Sequence, residues 1–152
     1  ARFLLTAATA EPSTNIYYIM SDFDITTRTS SPRIDRLGAG EIFVFGSNLS
    51  GAHGGGAALL AVNKFGAVWG QGVGLQGQSY AIPTMHGGPN AIKPYVDEFI
   101  DFARLHPELT FLVTEIGCGI AGFTPAQIAP LFASAKDIPN IHLPARFWAE
   151  LL

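Results

Sequence analysis

The chain has 152 residues, 48 % of them hydrophobic and only 14 % charged, with a formal net charge of −3. That composition describes one domain with a sizeable core and excludes a disordered chain. The 9 lysines and arginines are scattered without a basic run, which excludes a nucleic-acid backbone as the partner.

In chain order, residues 1–40 read as an N-terminal extension packed on a core formed by residues 41–152. "RFLL" and "NIYYIM" are strand-like and "TTRTSSPR" is a loose connection, so this part is expected to add a layer or an edge strand. No glycine precedes Gly38, whereas ten of the 17 fall between Gly46 and Gly77. From Glu41 the order becomes regular. "EIFVFG" is a short, continuously apolar strand, the pattern of a strand buried on both faces. "GGAALLAVNKFG" is a short helix closed by Gly66. "GQGVGLQGQ" reads equally as a flexible surface loop or as a loop that reaches the ligand, and "QSYAIPT" as a strand stopped by Pro83.

"NAIKPYVDEFIDFARLHP" is the clearest helix, with Ile92, Tyr95, Val96, Phe99, Ile100 and Ala103 on one face. Its opposite face carries Lys93, Asp97, Glu98, Asp101 and Arg104. "TFLVTEI" is the next buried strand. "FTPAQIAPLFASA" is a helix with Thr124 as N-cap and Pro125 in its first turn, kinked or shortened by Pro130. "NIHL" and "PARFWAELL" supply a last strand and a last short helix. This alternation predicts an α/β fold, a three-layer α/β/α sandwich around a mixed, largely parallel sheet.

Two glycine-rich loops follow strands of that sheet. The first carries Gly46, Ser47, Asn48, His53, Gly54, Gly55 and Gly56, and the second runs from Gly117 through Cys118, Gly119, Ile120, Ala121 and Gly122 to Phe123. Bare backbone ahead of a helix can offer N–H groups to an anion without any basic side chain, which suits a net-negative protein that binds a phosphate ester. Neither loop holds the Gly-Lys-Ser/Thr of a P-loop. "GVGLQG" and "GCGIAG" both match G-x-G-x-x-G. Only the second lies between strand and helix, and "NIHLPARF" lacks the acidic residue a dinucleotide fold needs after the next strand. A Rossmann-like dinucleotide binder is therefore the weaker alternative.

"VFGSNLSGAHGGGAALLAV" resembles the first ligand loop of macrodomains, and "TEIGCGIAGFTPAQIAPLF" their second, phosphate-gripping loop. "QSYAIPT" lies between them, as a similar strand does in that family. The match spans about residues 41 to 143 with its parts in the same order. The resemblance implies binding of ADP-ribose or a derivative, with the diphosphate between the loops, the distal ribose near Asn48 and Phe123 beside that ribose. It implies an adenine-contacting role for Asp24 in "DFDIT", at a longer spacing from Asn48 than is usual in the family. Many hydrolases of the family carry an acidic residue after the glycine run, where this chain has Ala57, Ala58 and Leu59. The paired glutamates of the poly(ADP-ribose) glycohydrolases are also missing. The expectation is a non-catalytic receptor or sensor, for example in a nucleotide-signalled bacterial defence system. The alternative is an ADP-ribosyl or ADP-ribose-phosphate hydrolase that uses Asn48 and His53.

The remaining candidates read as ordinary residues. Cys118, the single cysteine, excludes an internal disulfide and is read as packing rather than as a nucleophile. His86 and His142 share no ligand spacing with His53, so no metal is expected; no cofactor is expected beyond the nucleotide ligand. No apolar stretch reaches membrane-spanning length and no secretory leader pattern is read, which gives an expectation of a cytoplasmic protein. The first residue is Ala1 rather than Met, and an upstream effector or membrane-anchoring segment is expected.

Overall fold

The computed structural model describes residues 25–152. "RFLL", "NIYYIM" and Asp24 lie outside the described residues. Six strands, β1 (Thr29–Ser30), β2 (Glu41–Ser47), β3 (Gly74–Gln76), β4 (Ser79–Pro83), β5 (Thr110–Val113) and β6 (Ile141–Pro144), form one sheet. Their order is β1-β6-β5-β2-β4-β3, and every neighbouring pair is parallel except β3 with β4. Four α-helices accompany it: α1 (Gly56–Lys64), α2 (Pro89–Leu105), α3 (Pro125–Ile128) and α4 (Ala145–Leu151). The fold is α/β with a mixed, mostly parallel sheet, as the alternation of elements predicts. Among the described residues no helix is long and apolar enough to cross a membrane.

β2 shows why its sequence is continuously apolar. Side chains alternate along a strand, and both faces of this one are covered. Phe43 and Phe45 pack under α1 with Ala58, Ala61, Phe65 and Ala81, joined by Ile34 and Leu37 from the segment before β2. Ile42 and Val44 belong to the larger core on the other face, with Ile82, Phe111 and Val113 from the sheet and Ile92, Val96, Phe99 and Ile100 from α2. Helices therefore lie on both sides of the sheet, consistent with three layers. The outer face of α2 is charged, with Lys93 paired to Asp97 at 2.9 Å and Arg104 to Asp101 at 2.7 Å. Pro94 sits inside α2; the hydrogen bond it removes belongs to Asn90, and both residues are exposed, so water can satisfy the freed carbonyl.

The helix expected after the second glycine loop is cut short. Thr124 accepts from the Gln127 amide and Gln127 reaches back to Thr124, a complete capping box, but α3 ends at Ile128. Pro130 follows, and the chain continues as a 3-10 helix over Ala129–Asp137 with Phe132 at φ −98°, ψ 16°. The "GQGVGLQGQ" stretch differs from its expected form. It contains β3, antiparallel to β4 at the sheet edge, and it buries Gln76. The Gln76 side chain accepts from the Val68 amide at 2.8 Å and donates to the Gln71 carbonyl at 3.1 Å. A three-residue strand held by one buried amide side chain has no apolar alternation to reveal it.

At the opposite edge β1 pairs with β6, and Arg28 just before it is 6 % exposed. Its guanidinium donates to the carbonyls of Ala135, Lys136, Ile138 and Ile141 and lies 5.1 Å from the Trp148 ring centroid. Trp148 Nε1 donates in turn to the Arg28 carbonyl at 2.8 Å. One side chain thus ties the edge strand to the end of the 3-10 helix, to β6 and to α4. Replacing it leaves several buried carbonyls without donors. Arg28→Ala should destabilise the fold by about 3 kcal/mol, measured as a lower urea midpoint, and Arg28→Lys should recover only part of the loss because an ammonium cannot span the same acceptors.

Candidate functional site

Neighbouring strands β2 and β5 are parallel, so their following loops leave the same edge of the sheet. β2 feeds α1 on one face, while β5 feeds α3 and the 3-10 helix on the other. Where adjacent connections part to opposite faces a crevice opens, and open α/β sheets bind ligands at that switch point. The two glycine loops predicted as the site are these two connections.

The crevice holds a cavity of about 550 Å³. Gly46, Ser47, Asn48, Gly54, Gly55 and Gly56 line it from the first loop, and Gly117, Gly119, Ile120 and Ala121 from the second. A Cβ on Gly46 would lie 3.4 Å from Thr84 Oγ1, 3.5 Å from the Gly117 amide nitrogen and 3.6 Å from Ile116 Cβ. Gly46 is thus where the ends of β2, β4 and β5 converge, and a Cβ there would rest in ordinary contact with all three. Gly55 and Gly119 are different: a Cβ at either would meet nothing within 4 Å, and neither has a positive φ. Protein packing does not demand glycine at these two positions, and the space a side chain would fill belongs to the crevice.

Several backbone amides of the residues that line this space have no acceptor among the described residues. α1 has Gly55 as N-cap with no side-chain cap and no acidic residue in its first turn, which leaves its first amides without acceptors. The amides of Gly54 and Gly55 also donate to nothing among the described residues, and the same holds for Gly119, Ile120 and Ala121 across the cavity. α3, by contrast, is capped by its own Thr124. Of the two helix starts, only that of α1 is open to a ligand, and its N-terminal field favours an anion.

Other predicted residues do not reach the cavity. His53 is completely buried, its ring packed between Phe45 and Trp69, and Nε2 donates to the Gln71 carbonyl at 2.9 Å. It braces the loop from behind. Cys118 and Phe123 pack against the main core, and neither Phe123 nor Gly122 lines the cavity. The Phe123 amide donates to the Gly117 carbonyl at 2.9 Å, which closes the loop and holds the ring inward. Ile120, 93 % exposed, lines the cavity from the second loop instead. Burial, with Glu115 nearby, raises the Cys118 thiol above its ordinary value, which disfavours a thiolate nucleophile. Asn48 lines the cavity, but its side chain is engaged within the loop: Nδ2 donates to Ala52 O at 2.9 Å, while Oδ1 accepts from the Ala52 amide at 2.9 Å and Ser50 Oγ at 2.8 Å.

The sequence reading missed Thr84, Met85, Thr114 and Glu115, which also line the cavity. Thr114 and Glu115 stand just past the end of β5, beside the recognised loop, and that position was the available signal. A second cavity of about 690 Å³ adjoins the first and shares Ala57, Thr114 and Glu115 with it. It extends over the ends of β1 and β6 to Arg33, Asp35 and Arg146. At the junction Glu115 accepts two bonds from Arg146, Nε to Oε2 at 2.8 Å and Nη2 to Oε1 at 2.7 Å.

These bonds hold the Glu115 carboxyl below its ordinary value of 4.5, against the opposing effect of burial. A carboxylate depressed on folding adds stability that is complete above that ordinary value and lost as pH falls through the native one. Glu115→Gln should therefore flatten the acid limb of a stability-versus-pH curve below about 4.5, read by chemical denaturation, with no slope change near neutrality. The chain matches no protein-family model, no curated protein and no solved structure.

Proposed function

We propose that this protein binds ADP-ribose, or a nucleotide signal derived from it, as a macrodomain-like module, with its diphosphate lying between the two glycine loops. The observation that carries this reading is that both loops lining the crevice carry amides with no acceptor among the described residues, at the uncapped start of α1 and over Gly119–Ala121, with glycine at Gly55 and Gly119 where packing does not require it. The two adjoining cavities suit a ligand with a diphosphate in the middle and a sugar-bearing group at each end. The distal ribose then lies against the first loop, flanked by Ile120 and Met85, and the nucleoside end lies toward β1 and β6.

The two residues named for hydrolysis are both engaged in holding the first loop, Asn48 through its amide and His53 from behind. Glu115 is paired and ionised, which makes it a poor proton donor. These engagements favour a binding module that senses the nucleotide over an enzyme that cleaves it. We read the domain as a sensor of the nucleotide, with nucleotide-signalled defence as one such setting.

Calorimetry against ADP-ribose, with NAD, AMP and cyclic ADP-ribose as comparators, tests the reading. Micromolar binding of ADP-ribose is expected, a free energy of about −8 kcal/mol. A Cβ at Gly119 would meet no atom within 4 Å, so Gly119→Glu should fold normally and abolish binding by bringing a carboxylate to the diphosphate position. Gly55→Asp should separate stability from function. As an N-cap it should raise stability by about 0.5 kcal/mol, while its charge removes affinity for the anion. Binding of NAD alone would point to the Rossmann-like alternative, and turnover of an ADP-ribosylated substrate, lost in Asn48→Ala, to a hydrolase.

A further inference from the structure

The backbone amides are not the only groups placed to meet an anion. At the junction of the two cavities Arg146 and Glu115 form a two-pronged pair, with side-chain exposures of 64 % and 35 %. A guanidinium carries five N–H donors in a fixed plane. Glu115 occupies one on Nε and one on Nη2, which leaves both donors of Nη1 without an acceptor among the described residues. The carboxylate also fixes the plane and position of the guanidinium, so little side-chain freedom remains to be lost when a ligand arrives. Arg33, the other cation lining the second cavity, lacks this restraint: it is 87 % exposed and lies 3.7 Å from Asp35.

We propose that Arg146, held in place by Glu115, is the phosphate-reading cation of the cleft, donating from Nη1 to the ligand's diphosphate where the two cavities meet. The proposal rests on the ADP-ribose reading and adds to it a side-chain contact that the glycine loops do not supply. Two opposing charges act at the junction. Arg146 attracts the diphosphate and neutralises Glu115; Glu115 lines both cavities and, left alone, would repel the same diphosphate. The pair therefore makes affinity depend on the phosphates of the ligand rather than on its sugars or base. It also predicts opposite effects from removing its two members, which a pair that merely braced α4 against β5 would not produce.

The test is calorimetry of the wild type, Arg146→Ala, Arg146→Lys and Glu115→Gln against ADP-ribose at several salt concentrations, with adenosine as the phosphate-free comparator. Arg146→Ala should weaken ADP-ribose about tenfold, leave adenosine unchanged and reduce the dependence of affinity on salt. Arg146→Lys should fall between, keeping the charge without the fork. Glu115→Gln should tighten ADP-ribose several-fold and steepen the salt dependence, because the amide oxygen of Gln still accepts from the guanidinium and keeps it in place while the repelling charge is gone. If Arg146→Ala and Glu115→Gln weaken binding alike, or neither changes it while the wild type binds, the proposal is overturned and the ADP-ribose reading stands. If the wild type binds neither compound, both are overturned.

Discussion

The structure is organised around the carboxyl end of one strand. β2 lies between β4 and β5, parallel to both, and a Cβ on Gly46 near its end would meet Thr84, Ile116 and Gly117 from the chain segments that follow those neighbours. Because the three strands point the same way, their outgoing loops crowd one edge of the sheet. Because β2 feeds α1 on one face while β5 feeds the other, those loops must separate, and the crevice is what separation leaves behind.

Around that crevice the glycines divide by what they do. A Cβ on Gly72 would come within 2.2 Å of the Asn48 carbonyl oxygen, and one on Gly51 within 2.3 Å of the Gly70 backbone; these glycines let the hairpin behind the first loop pack closely against it. His53, Ser47 and Gln76 secure the same contact through hydrogen bonds to the 71–74 backbone. Gly55 and Gly119 serve no packing need and stand at the open face. The first loop is therefore rigid behind and bare in front. A phosphate site made of main-chain amides needs that combination, since loosely held amides would lose affinity to the cost of ordering them.

Much of this was legible in the sequence. Apolar runs and the 3.6-residue stripe of α2 placed the core, because burial imposes its periodicity directly on composition. Thr124, Pro125 and Pro130 marked the start and early end of α3 through local backbone chemistry alone. The two glycine loops were visible as candidates because bare backbone is a compositional signal. β3 was not legible, since one buried glutamine holds it in place of an apolar pattern. Nor was the inward turn of His53 and Phe123: a residue beside a glycine run can face either side of the loop, and its neighbours in space decide which.

What the amino-acid sequence determined by itself was local: which segments form strands and helices, which of their faces are apolar, and where the main chain is bare. What only the tertiary structure decided was the company each residue keeps. Arg28 became a buried staple because the acceptors it needs, from Ala135 to Ile141, are over a hundred residues away. Glu115 and Arg146, 31 positions apart, became one charged pair because β5 and β6 are neighbours in the sheet. Strand order and side-chain direction set these meetings, and both emerge from the packing of the whole chain rather than from any segment of it.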